Sequence, residues 1–145
     1  MKQLIIPLVF LLAACVSEGT KKDAPHHSSN SVVSLCTIAE RPEPYVGKSV
    51  KIRARHSIVK NYESFFSDAN CGKSTISEGS RKHSDRSVND FHAAGDKICK
   101  DRKIESLCSL EADVVVEITI RVDDEGELVA DPIHIDSFQY LPSPD

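Results

Sequence analysis

The sequence is poor in the residues that mark several specialised classes of protein. It has no tryptophan, one methionine, six glycines and seven prolines among 145 residues, which excludes a collagen-like or low-complexity chain. Its 18 lysines and arginines are outnumbered by 22 aspartates and glutamates, and this formal charge of −4 argues against a protein that mainly neutralises nucleic acid. With 40% hydrophobic residues and five cysteines, the composition indicates one globular domain outside the cytosol.

Long hydrophobic runs are scarce as well. The run from Leu4 to Ala14 has eleven residues, too few for a helix that crosses a bilayer, which needs about 20. With Lys2 in front of it, the run is typical of a secretory signal. It ends in Leu12-Ala13-Ala14-Cys15, which resembles the lipobox of bacterial lipoproteins. The resemblance implies a signal peptide of residues 1–14 and a diacylglycerol group on the Cys15 thiol. The alternative is an ordinary secretory signal with a chance cysteine.

Lipidation would anchor the protein to a membrane that it does not span. Val16 follows Cys15, and because this position is not an aspartate, the sorting rule of enteric lipoproteins favours the periplasmic side of the outer membrane. Residues 15–31 are polar and without periodicity, so we predict a flexible tether that reaches roughly 20–25 Å. Adjacent histidines in such a tether, here His26 and His27, are more often solvated than bound to a metal.

The folded domain is expected over residues 32–145. Apolar residues at helical spacing predict a short helix from Val32 to Ala39, and a second helix from about Val88 to Ile98 with Asp85 or Ser87 as its cap. Alternating apolar and polar residues predict five strands. Their approximate ranges are 49–60, 62–67, 74–77, 112–122 and 133–141.

Three stretches of this domain resemble small bacterial OB-fold-like lipoproteins: Ser34-Leu35-Cys36, the run from Pro44 to Arg53, and Asp68-Ala69-Asn70-Cys71. The family pattern is a short helix with a cysteine, a Tyr-x-Gly-Lys turn, a long alternating strand and a loop cysteine. The resemblance implies a mainly β fold, a five-stranded OB-like barrel with a short N-terminal helix and a helix-bearing excursion between strands three and four. The alternative is another small β-sandwich. The family transfers no catalytic residue.

Four cysteines remain beside Cys15, at positions 36, 71, 99 and 108. An even number in an exported domain predicts two disulfides, which can connect in three ways. No Cys-x-x-Cys pair is present, which argues against zinc or redox chemistry. The OB-like resemblance implies that Cys36 is joined to Cys71, and we then expect Cys99 to be joined to Cys108. The alternative is a bridge from Cys99 to Cys36 or Cys71.

Motifs for catalysis are absent from the sequence, which contains no Gly-x-Ser-x-Gly, no His-Glu-x-x-His and no phosphate-binding loop. His56 falls on the core side of its strand, where a buried histidine is commoner than a catalyst. Acids close in sequence to His83, His92 and His134 are expected by chance in a chain with 28% charged residues. The acidic turn over residues 123–127 lacks the spacing of a calcium loop.

The one candidate ligand face is a basic stripe formed by Lys51, Arg53 and Arg55, with Lys60 as a further member. OB-folds bind oligonucleotides and oligosaccharides on an open strand face, but this stripe lacks the interleaved aromatic residues that stack on bases. The alternative is a solvated strand face. We therefore expect a non-enzymatic binding module without a cofactor. It is expected to bind an unknown envelope partner and not nucleic acid. An inhibitor or immunity protein that blocks an envelope enzyme is the alternative function.

Overall fold

The computed structural model describes residues 31–59, 63–72, 74–79, 85–104 and 107–142. The predicted signal peptide, Cys15 and the tether up to residue 30 therefore lie outside the described residues, as do Lys60, Tyr62 and His83. Neither helix in the described parts of the chain is long and apolar enough to cross a membrane.

The protein is mainly β, as the sequence predicts. In chain order the elements are β1 (Val32–Val33), α1 (Leu35–Glu40), β2 (Ser49–Val59), β3 (Glu63–Ser67), a 3-10 turn (Ala69–Cys71), β4 (Thr75–Glu78), α2 (Arg86–Asp101), β5 (Ser109–Val122) and β6 (Leu128–Tyr140).

The strands form one mixed sheet whose hydrogen bonds close into a ring. The order is β1-β2-β3-β4-β6-β5, and β2 also pairs with β5 along its whole length. Five strands therefore make up the ring, with β4 and β6 parallel to each other and the other neighbours antiparallel. The sixth strand, β1, lies outside the ring and runs parallel to β2.

The predicted count of five strands and the predicted start of the first helix are both wrong. Val32 and Val33 are extended and pair with Lys51 and Ile52, because β-branched side chains fit a strand better than a helix. The helix begins only at Leu35, where the Ser34 side chain accepts a hydrogen bond from a backbone N–H of the first turn.

The last strand also begins earlier than predicted, at Leu128 instead of residue 133. Proline usually interrupts a strand because it has no backbone N–H to donate. Pro132 lies beside a shift in the pairing register with β5, where the missing N–H is tolerated. Two such shifts leave Ile133 and Asp136 without a direct partner on β5. The irregularity turns the Asp136 side chain towards Lys51 of β2, and the two charged groups are 2.9 Å apart.

The core lies inside the ring. The alternation predicted for β2 is confirmed, since Ile52, Ala54 and His56 are buried. Helix α2 begins at its cap Asp85 and covers the core with one side, whose buried residues recur every three or four positions. These residues are Val88, Phe91, Gly95 and Cys99.

Both expected disulfides are present. The Cys36–Cys71 bridge joins α1 to the 3-10 turn that follows β3. The Cys99–Cys108 bridge joins the end of α2 to the residue before β5. Each bridge thus fixes a helix covalently to the sheet or to a turn next to it.

Candidate functional site

The predicted basic stripe lies on the outer side of β2, but its charges are largely neutralised. Lys51 contacts Asp136, and Arg55 donates two hydrogen bonds of 3.2 Å to Asp113. Glu111 lies 3.6 Å from the same guanidinium group. The acids that face Arg55 belong to the neighbouring strand β5, whereas Asp136 belongs to β6, on the far side of β5 from Lys51.

Arg53 differs from the other two cations of the stripe. Its direct neighbour on β5 is Val115, and within the described ranges no acid forms an ion pair with it. Arg53 therefore retains a guanidinium group that is available to a ligand.

Arg53 and Arg55 line a groove with a volume of about 940 Å³. One wall is made by residues 32–34 and by residues 67–70 of the turn after β3. The floor crosses β2 and β5 at residues 53–55 and 113–115, and the opposite wall is residues 137–139 of β6. Segments from five parts of the chain thus meet in one groove.

The groove offers both apolar and polar contacts. Val32 is 49% exposed and Phe138 is 40% exposed, although both are large hydrophobic residues. Exposed apolar side chains beside a few hydrogen-bonding groups are typical of a binding site. Arg53, Asn70 and Gln139 supply such groups here.

A second polar site is buried inside the ring, around the carboxylate of Glu78 at the end of β4. Nε2 of His56 lies 3.0 Å from Oε2 of Glu78, and the Ser64 hydroxyl donates to the same oxygen. Nε2 of His92 lies 3.1 Å from Oε1. Glu78 and His56 have side-chain exposures of 1% and 0%, whereas His92 is 22% exposed. This ionic cluster joins β2, β3, β4 and α2.

The cluster keeps Glu78 ionised. Burial by itself raises the pKa of the Glu78 carboxyl, but the contacts with His56 and His92 and the hydrogen bond from Ser64 together lower it far below the usual value. The two Nε2 atoms contact different oxygens of the carboxylate, His56 by a hydrogen bond and His92 at an ion-pair distance.

Sequence analysis identified only His56 as a core residue of this cluster. Glu78 is two positions after the buried Ile76, and strict alternation along β4 would have placed it on the core side. His92 follows Phe91 on α2, next to the apolar positions of that helix. A cavity of about 240 Å³ lies beside His92 and is also lined by Asn89, Asp96 and Leu110.

One further group has the composition of a catalytic triad but the geometry of a helix cap. The Ser87 hydroxyl lies 3.2 Å from Nδ1 of His134, yet it donates its proton to Asp85 and accepts the backbone N–H of Ile135 at 2.8 Å. The hydrogen bonds from Ser87, with a smaller contribution from His134, lower the pKa of Asp85 to about 2. Ser87 therefore attaches the start of α2 to β6, and its proton is not directed at His134.

Among the described residues, one group has metal-ligating atoms in close proximity, namely Cys36, Asp68 and Cys71. The two sulfur atoms are bonded to each other, so neither is a thiolate that could bind a metal ion.

Comparison with known proteins gives no relative of this chain: no family model, curated protein or solved structure matches it. The groove, the buried ionic cluster and the cap at Asp85 are therefore the features from which a function can be inferred. The groove is open and has room for a ligand of substantial size.

Proposed function

We propose that the protein is a membrane-anchored envelope lipoprotein whose domain, residues 32–145, is a non-catalytic binding module. The lipobox Leu12-Ala13-Ala14-Cys15 supports the anchor, and Val16 favours the outer membrane on its periplasmic side. The two disulfides support a location in an oxidising compartment.

We further propose that the ring of strands is an OB-like barrel. Three features support this fold: five strands take part in the ring, its third and fifth strands are parallel, and a helix connects its third and fourth strands. These are the relations that the resemblance to OB-fold-like lipoproteins implies.

The groove is the observation on which the binding function depends. Its size suits a small ligand or a short segment of a macromolecule, and it combines the guanidinium of Arg53 with the apolar surfaces of Val32 and Phe138. The ion pairs of Lys51 and Arg55 leave little net positive charge on this face, which argues against nucleic acid as the ligand. The ligand is an unknown envelope component, and no cofactor is required.

A second candidate function is an inhibitor of an envelope enzyme. The turn at one wall of the groove supports it, because Ala69 and Asn70 are exposed while Cys71 is bridged to α1. Asp68 stiffens the same turn by accepting hydrogen bonds from the backbone and side chain of Asn70, both at 2.9 Å. A braced, exposed turn is suited to enter the cleft of an enzyme.

Site-specific photocrosslinking in intact envelopes tests the groove. A benzoylphenylalanine residue replaces Phe138 in the full-length chain, and a matched control carries it at Val122, an exposed residue outside the groove. We expect a discrete adduct from position 138 and none from position 122. The substitution Arg53→Ala should lower the yield from position 138 by about tenfold, since a hydrogen bond from a charged group contributes about 1.5–3 kcal/mol.

Equal adducts from positions 138 and 122 would contradict the groove as the binding site. A photoreactive group at Asn70 separates the two candidate functions. Adducts with an enzyme from position 70, together with none from position 138, would favour the inhibitor.

A further inference from the structure

The loop after α2 carries the most exposed large apolar side chain of the described residues, that of Leu107. It is 65% exposed, and Ile104 in the same loop is 38% exposed. The Cys99–Cys108 bridge closes this loop, and its two cysteines are each only 1% exposed. The bridge therefore attaches the loop to the core while its apolar side chains remain in contact with water.

The backbone of the loop is left-handed at two residues that are not glycine. Lys103 has a φ of 57° and Leu107 a φ of 45°. The N–H of Lys103 donates to the carbonyl of Lys100, and that of Ile104 to the carbonyl of Cys99. This is a Schellman motif, which usually has glycine at the position of Lys103. The loop thus holds a cation and an apolar side chain where its backbone favours glycine.

Cations accompany the apolar residues. Residues 97–108 contain four lysines and arginines and two acids, in a chain whose formal charge is −4. One of these acids, Asp101, is paired with Lys97 at 2.6 Å. The other three cations are exposed, and within the described ranges no acid forms an ion pair with them. With the two apolar residues they form a surface that we call the basic tip: Lys100, Arg102, Lys103, Ile104 and Leu107.

The requirements of a helix end account for only part of the basic tip. A cation in the last turn offsets the helix dipole, which explains Lys100. The Schellman motif commonly has an apolar residue at the position of Ile104. Neither requirement explains Leu107, which lies beyond the motif and is the more exposed of the two apolar residues.

The opposite end of β5 has the opposite charge. This strand runs from Ser109, directly after the bridge, to Val122, a length of about 40 Å at about 3.3 Å per residue. The acidic turn that follows, residues 123–127, contains four acids and no cation. The two ends of the strand thus differ in the sign of their charge.

Other charged groups do not cancel this difference. At the end with the basic tip, Glu111 is 3.6 Å from the Arg55 guanidinium, and Glu63 at the start of β3 is a further acid. At the other end, Arg121 is paired with Asp131 at 2.6 Å. Counting these groups leaves the first end positive and the second end negative.

We infer that the basic tip docks on the anionic headgroups of the membrane to which Cys15 attaches the chain, an inference that rests on the proposed lipid anchor. Docking of this kind combines apolar side chains at the boundary between headgroups and acyl chains with cations attracted to anionic lipids. The acidic turn then lies on the far side of the domain, beyond the range of repulsion by the same lipids. The anchor also keeps this surface at a high effective concentration.

The predicted length of the tether fits this orientation. Val32, the first residue of the domain, is in register with Lys51, which pairs with Glu117 of β5. Along β5, Glu117 lies about 26 Å from Ser109 at about 3.3 Å per residue. The tether is predicted to reach roughly 20–25 Å, so it can connect the membrane to Val32 while the basic tip is docked.

Docking would hold the binding groove close to the membrane. The floor of the groove crosses β5 at residues 113–115, which lie about 13–20 Å along the strand from Ser109. A ligand in the groove would then lie at a similar height above the headgroups. The docked domain is therefore oriented to bind an envelope component that protrudes from the same membrane.

Quenching of a fluorescent amino acid by nitroxide-labelled lipids tests the docking. The lipidated protein, purified from envelopes and bound to vesicles, carries dansylalanine in place of Leu107, and a matched protein carries it in place of Val122. With phosphatidylglycerol in phosphatidylcholine vesicles, we expect quenching at position 107 and none at position 122. In pure phosphatidylcholine or at high salt, quenching at position 107 should fall because the attraction between charges is lost or screened.

Paired charge variants test the contribution of the cations. Lys100→Gln with Lys103→Gln should lower the ratio of docked to undocked domain by about 30-fold, since each cation near an anionic surface contributes about 1 kcal/mol. The matched control is Lys48→Gln with Arg86→Gln, which removes the same charge at exposed positions outside the basic tip. It should change the ratio by less than about twofold.

The possible outcomes separate the docking from the anchor. A lipidated chain that sediments with the vesicles but is quenched equally at positions 107 and 122 would overturn the docking and not the anchor. Equal losses from the two double variants would also overturn it, because net charge and not the basic tip would then be responsible. Quenching confined to position 107 in a chain without lipid would support the docking and contradict the anchor.

Discussion

Replacement of Glu78 by glutamine should destabilise the domain strongly although it changes few atoms. The hydrogen bonds from His56 and Ser64 would each weaken by about 1 kcal/mol when the acceptor becomes a neutral amide. Loss of the contact with His92 should add about 1 kcal/mol. The expected total is about 3 kcal/mol, which for a domain of this size lowers the Tm by about 10–15 °C.

Urea unfolding at neutral pH, followed by circular dichroism under oxidising conditions, measures this cost. Asp113→Asn is the matched control, since it removes a carboxylate whose ion pair with Arg55 is exposed and should cost less than about 1 kcal/mol. If Glu78→Gln costs no more than Asp113→Asn, the buried cluster does not stabilise the fold. A double-mutant cycle with His92→Gln should give a coupling of about 1 kcal/mol, and additive effects would contradict a stabilising contact between Glu78 and His92.

Three further changes test other parts of the structure. Asp85→Asn keeps a capping side chain but removes its charge. Because the pKa of Asp85 is lowered to about 2, the variant should be less stable than the wild type above about pH 4. The melting temperatures of the two proteins should converge as the pH falls towards 2. Parallel melting curves would refute this. Gly95→Ala should destabilise the domain by about 1 kcal/mol, because the new Cβ would lie 2.5 Å from the Tyr140 hydroxyl. This cost is expected although alanine has a better helix propensity than glycine, and a higher Tm would contradict this packing. Removal of the Cys36–Cys71 bridge by serine substitutions should cost about 3–4 kcal/mol, measured by urea unfolding, and a cost below about 1 kcal/mol would show that the bridge is dispensable.

Local patterns predicted the elements of this fold well where one physical effect dominates. Strict alternation identified β2 and all but the first three residues of β5, because a strand with one buried side repeats every two residues. The prediction was wrong where two effects compete. Val32 and Val33 have the apolar character of a helix face but the branching of strand residues, and Pro132 interrupts a strand that a register shift allows to continue.

The sites were harder to predict because their members are far apart in sequence. The acids that neutralise Lys51 and Arg55 belong to β5 and β6, and only the pairing register brings them opposite these cations. The same is true of the buried cluster, in which Glu78 meets His56 and His92 only after the ring closes and α2 packs on it. A pattern within one strand shows which side is buried, but not which charges meet there.

The claim on which the proposed function depends is that Cys15 is lipidated and anchors the domain to the envelope. The measurement that tests it most directly is incorporation of labelled fatty acid into the full-length chain, combined with membrane fractionation, for the wild type and Cys15→Ser. The wild type is expected to take up label and sediment with the membranes, because two or three acyl chains give stable anchoring. The Cys15→Ser chain is expected to remain unlabelled and not to sediment with the membranes. Label or membrane retention that persists in Cys15→Ser would contradict lipidation of Cys15 as the anchor.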